Sequence, residues 1–108
     1  MQESESAGQE RRSEERLLYP YWQRVAACNA VGDTEGAEFQ EVLCRDLSAN
    51  GISFWCDTAP KTRFFVLHLG TAQSHTDLIV EVKHFTPVHL GGRDKILVGC
   101  KFVRRLKS

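Results

Sequence analysis

The stretch AEFQEVLCRDLSANGISFWCD (Ala37–Asp57) places two apolar runs on either side of a hexapeptide of turn residues, DLSANG (Asp46–Gly51). After the hexapeptide, Ile52, Phe54 and Cys56 alternate with Ser53, Trp55 and Asp57, the period of a half-buried strand. The run before it, AEFQEVLCRDLS, reads as the preceding strand. Gly51 is suited to the positive φ that a tight strand-to-strand turn often takes. The segment is therefore expected to be two antiparallel strands joined by a short polar turn.

Four more runs share that character. QRVAACNAV (Gln23–Val31) sets Val25, Ala27 and Val31 on one side, and RFFVLHLG (Arg63–Gly70) is a short β-rich run stopped by glycine. DLIVEVKHF (Asp77–Phe85) alternates Leu78, Val80 and Val82 against Glu81 and Lys83, and KILVGCKFV (Lys95–Val103) alternates Ile96, Val98, Cys100 and Phe102 against Gly99 and Lys101. VGDTEGAE and LGGRDK between them are hairpin-like connections rich in Gly and Asp. Six short runs without a long helical pattern predict an all-β fold, a six-stranded antiparallel β-barrel, since closure removes the edges that an open sheet exposes. Residues 1–10, MQESESAGQE, predict a disordered acidic lead, and residues 11–108 form the barrel domain with a flexible N-terminal arm. RRSEERLLYP (Arg11–Pro20) has helix formers enough for a short helix ending before Pro20.

With 108 residues, 42% of them apolar and 26% charged, the chain is the size and balance of one soluble domain. Lys+Arg and Asp+Glu are 14 each, so no bulk field draws the chain to nucleic acid or membrane, and an anion has to be captured by a local cluster. The closing KFVRRLKS is basic, but short basic runs are usually solvated strand ends. No stretch is long and apolar enough to span a membrane, and no signal-peptide pattern opens the chain, which predicts a cytoplasmic protein. Cys28, Cys44, Cys56 and Cys100 sit in strand-like runs without a CxxC, as reduced buried thiols do. Neither they nor His68, His75, His84 and His89 match the ligand spacings of zinc sites, so no metal is expected.

Two polar clusters remain. In DLSANG, Asp46 and Ser48 are two apart on a strand end and share a face. An ionised carboxylate accepts while a hydroxyl donates and accepts, which suits a nucleobase edge. The same residues also serve to bond the turn's own backbone, and the hexapeptide alone favours that use. In RRSEER, helical spacing puts Arg12 and Arg16 on one face with Arg11 beside them. Guanidinium forks fit phosphates and the O6/N7 edge of guanine. Pairing with Glu14 and Glu15 is the plain alternative, but exposed pairs contribute only about 0–1 kcal/mol.

Taken together, Arg-x-x-x-Arg, a strand-rich stretch and Asp-x-Ser-x-x-Gly resemble the PilZ domain family, bacterial receptors for the second messenger cyclic di-GMP. The resemblance covers Arg11 to Val103 and rests on RSEER, DLSANGISF and VGCKFV, the last similar to the family's closing Gly-x-x-Phe strand. It implies a six-stranded barrel that binds cyclic di-GMP. Arg12 and Arg16 would grip phosphates and guanine edges, while Asp46 and Ser48 would meet guanine and Gly51 would permit the turn. Arg11, just before the first motif, implies an intercalated ligand dimer. The family's Pro-x-x-Gly-like turn is replaced here by APKTRFFV, with Arg63 in place of the glycine, and His89 and Arg93 match no motif. Trp22 and Trp55 are expected to pack in the core or at an edge rather than stack on bases.

The resulting expectation is a non-enzymatic cyclic di-GMP receptor in signal transduction. Ligand binding would order Arg11–Pro20 and so address an effector protein. The alternative is a PilZ-like adaptor that binds protein and no nucleotide. An enzyme would need a nucleophile with a base and an orienting group nearby, and no local signature supplies them. Nucleic-acid binding is disfavoured by zero net charge and few stacking platforms.

Overall fold

The structure, a computed structural model, describes residues 15–71 and 73–106. Arg11, Arg12 and the acidic lead lie outside the described residues, as do Lys107 and Ser108. The elements in chain order are β1 (Leu17–Leu18), β2 (Trp22–Cys28), β3 (Gln40–Leu47), β4 (Gly51–Cys56), β5 (Phe64–Gly70), β6 (His75–Leu90) and β7 (Arg93–Arg105). No helix occurs among the described residues.

All pairings are antiparallel. The sheet runs β3-β2-β5-β6-β7-β4, and β4 pairs back with β3, so the six long strands close into a barrel. The two-residue β1 is an addition on β3. Closure leaves each long strand with two neighbours, as the fold class predicted from period two requires.

The run Leu17–Leu18, read from sequence as the end of a helix, is strand instead. Leu17 pairs with Leu47 and Leu18 with Asp46, while β2 pairs with the earlier part of β3, from Trp22↔Leu43 to Val25↔Gln40. Between them Tyr19 N–H donates to the Arg45 carbonyl at 2.9 Å, and Cys44 N–H donates to the Tyr21 carbonyl at 3.0 Å. Residues 17–25 thus follow β3 as one bent strand, interrupted at Pro20, which has no N–H to give a ladder. Tertiary pairing overrides a local helix propensity that amounts to only tenths of a kcal/mol per residue.

The larger core cluster is built around Phe54, Leu67, Val80 and Val98, all 0% exposed. Full burial of each stabilises the fold by roughly 1.5–3 kcal/mol. A second cluster of Cys28, Val66 and Ile79 packs with Phe64 and Leu106. The β6–β7 ladder has two register shifts, one at Val103 of β7, opposite Ile79 and Val80, and one at Lys83 of β6, between Val82 and His84. Ile79 and Val80 are both buried although adjacent because they enter different clusters, Val80 the larger and Ile79 the second. Val31, expected in line with Val25, lies beyond β2 and is exposed.

β6 and β7 are longer than period two suggested, because FTPVHLGGRDK continues the ladder from Phe85↔Val98 to Leu90↔Arg93. Only Gly91 and Gly92 remain as the loop, with φ of 55° and 81°. Positive φ at both central residues is the geometry of the tight hairpin turn whose twist matches its strands. His89 pairs with Asp94 there, Nδ1 to Oδ1 2.7 Å.

Candidate ligand-binding site

The β1–β3 register brings Arg16, the described arginine of the first motif, to the second motif. Leu17 lies opposite Leu47, so Arg16 continues that edge beside Ser48, and its Nη1 donates to Asp46 Oδ1 at 3.2 Å. Asp46 is buried, and a bulge in β3 between Cys44 and Asp46 aligns it with Ser53, whose Oγ donates to the same Oδ1 at 2.8 Å. Arg45 Nη1 stands 3.6 Å from Oδ2. A buried carboxylate needs such partners, since an unpaired buried charge is costly. Asp46 therefore acts in this structure as the anchor of Arg16, and the anchored guanidinium is still 60% exposed.

The turn itself is closed by Ser48 N–H donating to the Gly51 carbonyl at 2.9 Å, and Ser48 Oγ accepts from Asn50 N–H at 3.2 Å. That is the backbone-bonding use the hexapeptide alone suggests. Gly51 is needed for a different reason from the one expected, because its φ is not positive. A Cβ there would stand 2.1 Å from the Cys100 carbonyl oxygen, so glycine is required for the close approach of β4 to β7.

Arg16, Ser48 and Gly51 line one cavity of about 450 Å³ on the barrel surface, together with Asn50, Lys83 and Lys101. His84 also faces it, its ring seated across Gly99, where a Cβ would come within 2.4 Å of the imidazole. Among the described residues no acidic side chain lines this cavity, and Asp46 stands behind Arg16. The local charge is therefore positive in a chain whose net charge is zero. Lys83, His84 and Lys101 escaped the sequence reading, although the Gly51↔Lys101 and His84↔Gly99 pairings place them beside the turn. Only strand register reveals that.

A larger cavity, about 790 Å³, lies toward the other end of β3 and β4 and contains none of the described motif residues. Trp22 and Trp55 line it, so Trp22 is not a core residue, being 62% exposed. Of the cavity's cations Lys61, Arg93 and Lys95, Lys95 is paired with Asp57 at 2.6 Å, which holds that carboxyl below its usual range. This mouth is larger and more apolar, but it is lined by Glu41 and Asp57 as well as by cations. The described lining of the corner is free of acids and holds the motif residues Arg16, Ser48 and Gly51, so we place the candidate anion site at the corner. Burial pushes the Cys44 and Cys100 thiols up to about 12, which leaves neither as a thiolate nucleophile near neutral pH. No helix of the described residues is long and apolar enough to cross a membrane.

Fold and site together define a small closed β-barrel with a cationic surface corner. Among solved structures the chain is similar to MrkH of K. pneumonia in its apo state, with a TM-score of 0.59 and 15% identity over 84% of this chain and 42% of that one. At that identity the likeness shows the barrel fold, and the chain spans less than half of MrkH. No family model and no curated protein sequence matches the chain.

Proposed function

We propose that the protein is a non-enzymatic receptor of the PilZ type for cyclic di-GMP, acting in the bacterial cytoplasm. The observation that carries this reading is the convergence of Arg16, Ser48 and Gly51 on one cavity with Lys83 and Lys101. Arg16 supplies a planar fork for phosphate or guanine, held by Asp46. Lys83 and Lys101 add point charges for a dianion. Asn50 and Ser48 offer the polar groups that a guanine edge needs. Arg11 and Arg12 complete the site from the chain N-terminal to Arg16, with Arg11 favouring an intercalated ligand pair. Because Leu17 and Leu18 are already paired with β3, the ordering that would signal to an effector protein concerns residues before Arg16 rather than all of Arg11–Pro20.

A second reading is a protein-binding adaptor that takes no nucleotide. It is favoured by one observation: Asp46 Oδ1 is already used by Arg16 and Ser53, so this acid is satisfied without a ligand. Calorimetric titration with cyclic di-GMP, with cyclic di-AMP and GTP as controls, separates the two. The receptor gives saturable heat with the guanine dinucleotide alone, and Arg16→Ala weakens it by about 2–3 kcal/mol through loss of a charge-assisted contact. A folded protein that gives no heat is the adaptor.

A further inference from the structure

The β5–β6 hairpin carries a second cluster, remote in chemistry from the arginine corner. His68 and Asp77 are directly opposed across the strands, and His75 lies two residues before Asp77 on the same face, paired with Gly70. Asp77 Oδ1 is 2.5 Å from His68 Nδ1 and 3.3 Å from His75 Nε2. One ligand atom from each of the three side chains can be chosen so that all lie within 4.8 Å of one another. We propose that His68, His75 and Asp77 form a binding site for a divalent transition-metal ion of the zinc class. Two imidazole nitrogens and a carboxylate oxygen are the donors, and the remaining position is left to water.

The donor set suits such an ion. Imidazole favours zinc, nickel, copper and iron, while magnesium and calcium take all-oxygen sets. Three protein ligands with one open position is the arrangement of accessible zinc sites. At metal–ligand bonds of about 2.0–2.1 Å, tetrahedral donors stand roughly 3.4 Å apart, so closing this cluster on one ion takes side-chain shifts on the order of 1 Å.

The supporting shell is built rather than incidental. Phe39 stacks on His68 with ring centroids 4.1 Å apart and planes within 15°, which fixes the imidazole plane. Gly70, at φ 131°, makes the bend that brings His75 alongside His68, and a Cβ there would stand 2.5 Å from the Ser74 carbonyl oxygen. Buried Gln23 holds that bend from β2: its Nε2 donates to the Gly70 carbonyl at 2.9 Å and its Oε1 accepts from Gly70 N–H at 2.7 Å. A cavity of about 420 Å³, bordered by His68, His75, Arg24 and Glu41, opens in front of both imidazoles and gives room for a water ligand. The expectation of no metal came from spacing along the chain, and the cluster exists only through cross-strand register.

The test is titration of the chelator-treated full chain with zinc chloride, followed by calorimetry and by the imidazole proton signals. One-to-one saturable binding with movement of the His68 and His75 signals, and none of His84 and His89, is expected. Cobalt(II) in place of zinc should give the visible bands of a nitrogen–oxygen site without a thiolate charge-transfer band. Outer-shell changes at metal sites cost roughly 10–100-fold, so Asp77→Asn or His75→Gln should weaken binding at least about 100-fold, while Cys56→Ser leaves it unchanged. Absence of saturable binding, binding that persists in His75→Gln and Asp77→Asn, or movement confined to His84 and His89 overturns the proposal. Because the signal map uses the unaltered protein, it decides the matter even where a variant fails to fold.

Discussion

Two carboxylates organise this molecule's polar chemistry, and each gathers its partners at a single oxygen. Asp46 Oδ1 serves Arg16 and Ser53, and Asp77 Oδ1 faces His68 and His75. Asp46 is the more enclosed, its side chain 12% exposed against 30% for Asp77. The partners differ more deeply than the burial. A guanidinium keeps its charge at any accessible pH and never ligates a metal, whereas an imidazole exchanges its proton for one. The corner thus holds a fixed charge, and the hairpin gathers groups whose charge and donor capacity can change. Similar geometry around an acid acquires different chemistry from the bases set against it.

The strongest way to break the corner is Gly51→Ala. The added methyl meets backbone, not a mobile side chain, and should cost at least about 3 kcal/mol in chemical denaturation. A loss under 1 kcal/mol would show that β4 and β7 can separate there at little cost. Alkaline pH attacks the same region, because Cys44 precedes Asp46 by two residues and Cys100 lies against Gly51. Folded thiols that keep their protons up to about 12, against an ordinary 9.0, hold more protons than the unfolded chain in that interval. Stability therefore falls as pH rises from about 9 to about 12, and is unaffected by these groups below it. Cys100→Ala should flatten the slope measured by denaturation at stepped pH; an unchanged slope would assign the loss to other groups.

A sharper comparison sets Asp46→Asn beside Asp77→Asn. The first should cost about 1–2 kcal/mol, since it weakens bonds to a guanidinium and a hydroxyl at a buried site. The second should cost under about 1 kcal/mol, as half-exposed pairs do. Equal losses would mean the two acids do the same structural work. The smallest effect is Ser48→Ala, which removes one hydroxyl acceptor from Asn50 and should cost about 0.5 kcal/mol of stability. A larger effect on cyclic di-GMP affinity than on melting would separate ligand contact from turn support.

Period-two alternation was enough to place the six long strands, because a barrel wall has one apolar face and the sequence repeats it. Its failures have local causes. Leu17–Leu18 took β structure from the free end of β3, which no window of neighbouring residues contains. The extension of β6 through Pro87 and His89 is largely exposed, so it lacked the alternation that marks half-buried strands. Ser53 is buried among apolar residues because Asp46 is its partner. At the corner, Arg16, Asp46, Ser48 and Gly51 were legible as short motifs, whereas Lys83, His84 and Lys101 join them only through β6–β7–β4 pairing. Gly51 was read for the right place and the wrong physics.

That last point bears on how such a protein changes by descent. Since the Cys100 carbonyl excludes any side chain at position 51, purifying selection for a closed barrel retains Gly51 in a lineage that never meets a nucleotide. Arg16 has no such protection: it is 60% exposed and outside the core. In diverging copies of this gene the arginine is the informative character and the glycine is the silent one. A lineage that drifts at position 16 while keeping 51 has kept its architecture and given up the guanidinium on which the proposed ligand site depends.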